Sequence, residues 1–158
     1  MEKKTTYHEQ TSINNTVKLR EVLATLPDFC RNYFRAMEPT TTAKTRISYV
    51  YDIRLFLHFL CAQNPYFNKY DSITQITLSD LENLTPMDIE EYLEYLKYYT
   101  DEQGRSHTNS ERGIKRKLAA LRSFYAYYYK RELIHSNPTV VVDLSLIHIS
   151  EPTRLRCI

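Results

Sequence analysis

The chain has 158 residues, 21 of them Lys or Arg and 19 Asp or Glu, for a formal charge of +2 at pH 7, and Gly104 and Gly113 are its only glycines. That length fits one domain able to bury a core without staples, and scarce glycine with abundant Leu, Tyr, Lys, Arg and Glu favours helices over a turn-rich sheet. Cys30, Cys61, Cys157 and the scattered histidines lack metal-site spacing, so no metal and no cofactor is expected, and no apolar run is long enough for a signal peptide or a bilayer span, which predicts a cytoplasmic protein with no membrane partner.

Residues 1–16 are polar, without an apolar period, and are expected to form a flexible tail, with structure beginning near Val17. The first predicted helix is "LPDFCRNYFRAM", opened by Thr25, Pro27 and Asp28 and ended by Glu38-Pro39. A second helix starts among Thr40, Thr41 and Thr42 and runs to about Cys61, where Asn64-Pro65 stops it. Tyr49, Val50, Ile53, Phe56, Leu57 and Leu60 share one of its faces, the pattern of a core helix. Short helical turns are expected between Tyr66 and Leu84, because an unstructured link of that length is unusual.

Thr85-Pro86-Met87-Asp88 is a capping box with proline in the first turn, and it opens "MDIEEYLEYLKYY" with an Ile89, Leu93, Leu96 stripe. After the loop "TDEQGRS", a long helix is predicted from Thr108 to about Arg131, with Glu111 as reciprocal cap. Ile114, Leu118, Leu121, Tyr125 and Tyr128 lie on one side of it. Arg112, Lys115, Arg116, Arg122 and Ser123 lie on the other, with Ala119 and Ala126 between them. "ELIHSNPTVVVDL" reads as an extended exit. Four amphipathic helices with short or medium links imply an all-α, compact four-to-five-helix bundle.

Charge is segregated along the chain. Between Asp71 and Glu102 the acids face only Lys97, whereas from Arg105 to Arg131 the bases face only Glu111. A cationic segment beside an anionic one points to a nucleic-acid partner. On the late helix, Arg and Lys suit phosphates and base edges while Ala and Ser let the backbone approach a groove floor; a solvated basic face would carry the same pattern. "PTTTAKTR" adds hydroxyls, Lys44 and Arg46 at a helix N-terminus, where backbone N–H groups also favour a phosphate, although threonine is also a common cap. Tyr125, Tyr127, Tyr128 and Tyr129 have the helical spacing of packing residues rather than of a nucleophile.

In order, "TTAKTRISYVYDIRLFLHFL" with its Tyr49-x-x-Asp52, then "LTPMDIEEYLEYL", then "NSERGIKRKLAALRSFYAYYYKRELIHSNP" resemble the core-binding domain of tyrosine recombinases, the phage integrase and Xer-like family. The late helix matches through Arg116, Leu118, Ala120, Leu121, Arg122, Phe124 and Tyr127, followed by Asn137-Pro138, and departs at Ala119, where the pattern has Ser. The resemblance covers residues 22 to 143. It implies a SAM-like helical bundle forming half of a clamp on duplex DNA, with contacts from Thr42, Lys44, Thr45 and Arg46 and from Arg112, Lys115, Arg116, Arg122 and Ser123. It also implies meetings with other recombinase protomers.

Family chemistry, attack by a Tyr on a DNA phosphate, belongs to a second domain after the Asn-Pro exit, so this chain is expected not to be an enzyme by itself. The expected organisation is a tail at 1–16, a DNA-binding domain at 17–143, and a foreign tail at 144–158. The end "SLIHISEPTRLRCI" resembles a translated sequencing-adapter artefact, and the natural frame is expected to continue into the catalytic domain. A protein-interaction module using the acidic helix around Glu90, Glu91 and Glu94, or a free-standing regulator made from a recombinase fragment, are the alternative readings.

Overall fold

A computed structural model describes residues 6–143, which divide into two compact units after Leu81. The expected foreign tail, 144–158, lies outside the described residues, as do the first five residues of the expected N-terminal tail. Six helices are present among the described residues: α1 (Tyr7–Leu23), α2 (Cys30–Met37), α3 (Ala43–Gln63), α4 (Leu78–Glu82), α5 (Pro86–Tyr95) and α6 (Glu111–Lys130). The all-α class holds, with one small addition, an antiparallel hairpin of β1 (Tyr98–Thr100) and β2 (Ser106–Thr108).

In the first unit α3 is central, and α1, α2 and two 3-10 turns, Phe67–Lys69 and Ile73–Gln75, pack on it. Val50, Ile53, Phe56, Leu57 and Leu60 on α3 are fully buried, as the spacing predicted. The turns and α4 occupy the Tyr66–Leu84 interval where short helical pieces were expected.

Two expectations are corrected here. A helix, not a flexible tail, occupies Tyr7 to Val17, because Thr6 and Glu9 form a reciprocal capping box. It escapes a periodicity search because only Leu19 and Val22 of α1 are buried, leaving its first turns solvated on every side. The second correction is at Thr25, whose hydroxyl donates to the Val22 carbonyl at 2.6 Å and so finishes α1 instead of capping α2. The α2 helix then starts at Cys30 without a side-chain cap.

The link into α4 is organised by one buried carboxylate. Asp80, 5% exposed, accepts from the Tyr66 hydroxyl at 2.9 Å, the Tyr70 hydroxyl at 2.5 Å and the Thr77 amide at 3.0 Å. Burial opposes its ionisation, but the donors, led by Tyr70, outweigh that and hold the carboxyl below its ordinary value. The same bond, helped by burial, pushes the Tyr70 phenol up to about 12.

In the second unit Thr85 and Asp88 cap α5 reciprocally with Pro86 in the first turn, as expected. The helix is shorter than predicted, ending at Tyr95, because the chain turns into β1. The hairpin loop closes since Gly104 adopts φ +78° and the Asp101 carboxylate accepts from the amides of Gln103 and Arg105, both at 2.9 Å. Tyr95, Tyr99 and His107 stack in series, with centroids 5.1 and 4.9 Å apart. Asp101 also bonds His107 at 2.7 Å, the main cause of its lowered pKa.

The N-cap of α6 is Ser110, which accepts from the Gly113 amide, so Glu111 is the first residue of the helix and not its reciprocal cap. At the far end the Leu133 amide donates to the Tyr128 carbonyl and the Glu132 amide to the Tyr129 carbonyl, with Glu132 left-handed at φ 59°. The segment beyond is turned, not extended: Asn137 Oδ1 accepts from both the amide and the hydroxyl of Thr139.

Asp80→Asn is expected to lower the unfolding free energy by about 1–3 kcal/mol, the scale of hydrogen bonds to a charged group. Because the folded-state pKa of Asp80 is depressed, its contribution is present above the ordinary carboxylate range and fades as pH falls through the lowered value. Urea melts of both proteins from pH 7 to 2 should therefore converge in acid. Glu132→Gly relieves a left-handed glutamate and is expected to add about 0.5–1 kcal/mol in the same assay; a loss of stability would show that the Glu132 side chain contributes more than its backbone strain costs.

Candidate nucleic-acid interface

The α6 helix presents two chemically distinct sides. Ile114, Leu118, Leu121, Phe124, Tyr125 and Tyr128 are buried. Burial, with the Asp88 carboxylate adding to it, pushes the Tyr125 phenol far up, so it stays protonated. Successive residues turn by about 100°, which brings positions 112, 115, 116, 119, 122, 123 and 126 to the other side. There Arg112, Lys115, Arg116, Ala119 and Arg122 are exposed, and Ser123 and Ala126 are half-buried. Ala119 thus sits exposed among four cationic side chains, leaving the backbone approachable between them.

The cations of this side are not equivalent. Lys115 lies 3.3 Å from Glu111 in an exposed i,i+4 pair, which costs little to exchange for another anion. Arg122 donates through Nη2 to the Val142 carbonyl and so anchors the turned segment after α6. Lys117, between the two sides, is 9% exposed and belongs to the interior.

The first-unit candidates cluster at the start of α3. Thr42 is its N-cap, its hydroxyl accepting from the Thr45 amide at 3.1 Å and lying 3.0 Å from the Thr45 hydroxyl. Lys44 is exposed. Arg46, expected at an exposed N-terminus, is instead 8% exposed. Its Nη1 donates to the Glu38 carbonyl at 3.2 Å, the Thr41 carbonyl at 2.6 Å and the Thr41 hydroxyl at 3.2 Å, clasping the turn between α2 and α3. The structure thus gathers Thr42, Lys44, Thr45 and Arg46 at one helix start and Arg112, Lys115, Arg116, Arg122 and Ser123 along one helix side, each set within its own unit.

Helical spacing alone identified the α6 side. It passed over Arg20, Arg31 and Arg35, which line a cleft in the first unit; the i,i+4 pair Arg31 and Arg35 was the available signal. Among the described residues no group of three or more His, Cys, Asp or Glu could hold a metal, and no helix is long and apolar enough to cross a membrane.

Comparison with known proteins gives one consistent answer. The family model "Phage integrase, N-terminal SAM-like domain" matches residues 31–132. Tyrosine recombinase XerC of Caldanaerobacter subterraneus subsp. tengcongensis is 31% identical over 127 residues, covering 78% of this chain and 35% of that protein. Tyrosine recombinase XerS of Lactococcus lactis subsp. cremoris is 31% identical over 122 residues, covering 73% of this chain and 32% of that protein. The chain therefore spans about a third of the length of these relatives. No solved structure matches it.

The division between clasping and exposed arginines can be checked by urea denaturation. Arg46→Ala is expected to cost about 1–3 kcal/mol, since it removes a buried charged donor from the part-buried Glu38 and Thr41 carbonyl hydrogen bonds. Arg112→Ala should change stability by no more than about 0.5 kcal/mol. Equal effects at the two positions would contradict the assignment.

Proposed function

We propose, from the premise that this chain belongs to the phage integrase N-terminal SAM-like domain family, that it is the duplex-DNA-binding module of a site-specific tyrosine recombinase. In this reading it grips the recombination site while strand cleavage is performed by a catalytic domain outside this chain. The observation that carries the reading is the exposed side of α6, where Arg112, Lys115, Arg116 and Arg122 surround Ala119.

Guanidinium and ammonium groups on that side neutralise backbone phosphates and release counterions, giving affinity that falls steeply with salt. The short Ala119 side chain lets the helix seat deeply enough in a major groove for the flanking arginines to reach base edges. At the start of α3, Lys44 supplies a second phosphate contact, with the amides of the first turn beside it. Arg46 holds the turn that positions this helix start. Cleavage is not assigned to the tyrosines of α6: Tyr125 and Tyr128 are buried, and the phenol of Tyr125 is held protonated.

The test is binding of a labelled duplex by fluorescence anisotropy between 50 and 200 mM salt, on the order of the range in which counterion release is read. The chain is expected to bind in the micromolar range or more weakly, and the double variant Lys115→Glu, Arg116→Glu to lose binding while keeping its helical circular dichroism. A folded double variant that binds as the parent does would overturn the α6 interface. Retained capture of a second protomer without DNA binding would separate protein contacts, through the acidic side of α5, from the DNA interface.

A further inference from the structure

The first unit contains a cleft of about 490 Å³ bordered by α1, α2 and the start of α3. Its walls carry Arg20 from α1, Arg31 and Arg35 one turn apart on α2, and Arg46 from α3, against one acid, Glu38, with Phe34 as an apolar side. Arg20, Arg31 and Arg35 are exposed, and among the described residues none of the four arginines lies within ion-pair distance of a carboxylate. Arg46 is the informative member. It is 8% exposed, and its hydrogen bonds all leave from Nη1 toward neutral oxygens of Glu38 and Thr41. Buried charges are ordinarily paired with an opposite charge. A buried guanidinium lining a cleft, compensated only by dipoles and accompanied by three more guanidiniums, is electrostatically incomplete until an anion enters.

We propose that this cleft binds a phosphoryl oxyanion. A lone carboxylate is saturated by one bidentate arginine, whereas a phosphoryl group offers several anionic oxygens that more than one guanidinium can share. Glu38 is the opposing charge and weakens the site without filling it. The phosphoryl group comes either from the backbone of the bound duplex, in which case the inference rests on the DNA-binding reading above, or from a free phosphate.

Two measurements on the full chain separate these sources. The first is duplex anisotropy across salt for the parent, for Arg31→Gln with Arg35→Gln, and for Glu38→Gln. The second is titration of inorganic phosphate, followed through the arginine Nε–H signals in 1H–15N spectra. A backbone phosphate predicts that the double arginine variant weakens duplex binding about tenfold and lowers the log–log salt slope by about one for each phosphate left unneutralised, and that Glu38→Gln tightens it severalfold. A free phosphate predicts saturable shifts of Arg20, Arg31 and Arg35 in the parent and loss of the Arg20 shift in the double variant, with duplex binding unchanged.

Because Arg31 and Arg35 are exposed, their substitution leaves the fold intact, which circular dichroism verifies. If neither ligand distinguishes the folded double variant from the parent, the cleft is not an anion site. Should duplex binding nonetheless be abolished on reversing Lys115 and Arg116, the DNA-binding reading stands without it.

Discussion

The rotation of α6 about its own axis is set by Leu118, Leu121, Phe124, Tyr125 and Tyr128, each at most 1% exposed. Burying such side chains is worth about 1.5–3 kcal/mol apiece, whereas an exposed ion pair such as Lys115 with Glu111 contributes between zero and about 1 kcal/mol. Half a turn of rotation would forfeit the first sum to gain nothing comparable. The apolar stripe therefore decides where every cation of the helix points, and the arginine and lysine side follows from the packing rather than from any attraction of its own.

That constraint explains how a protein of nearly neutral charge presents a cationic helix side. Net charge sets solubility and the long-range field, but local contacts depend on which face a helix exposes. The structure also divides the basic residues by task. Arg46 clasps the turn ahead of α3 and Arg122 clasps the turned segment beyond α6. Each of these two arginines thus fixes a chain segment next to its own helix, one in each unit.

Polar residues do comparable work where the apolar pattern is weak. Between Tyr66 and Leu81 the chain is held by the Asp80 carboxylate and the hydroxyls that donate to it. The hairpin between α5 and α6 depends on Asp101 and on the positive φ of Gly104. Neither element offers a hydrophobic period, so each is stabilised by satisfied polar groups and local turn geometry.

The sequence by itself determined the helical class, the core positions of α3 and α6, the capping box at Thr85 and the composition of the α6 outer side, because these rest on periodicity and on caps within a few residues of one another. It also carried the family resemblance, in ordered motifs spread along the chain. It did not reveal that α1 begins at Tyr7, since the Thr6 and Glu9 box is not followed by an apolar stripe, nor that "TDEQGRS" closes a hairpin. Only the tertiary structure decided which arginines are exposed and which are drawn into the fold. Arg46 and Arg112 are indistinguishable as letters, and what separates them is the position of carbonyl groups on a neighbouring turn. The cleft of Arg20, Arg31, Arg35 and Arg46 likewise exists only once three helices have packed, because its electrostatics depend on distances through space that no spacing along the chain encodes.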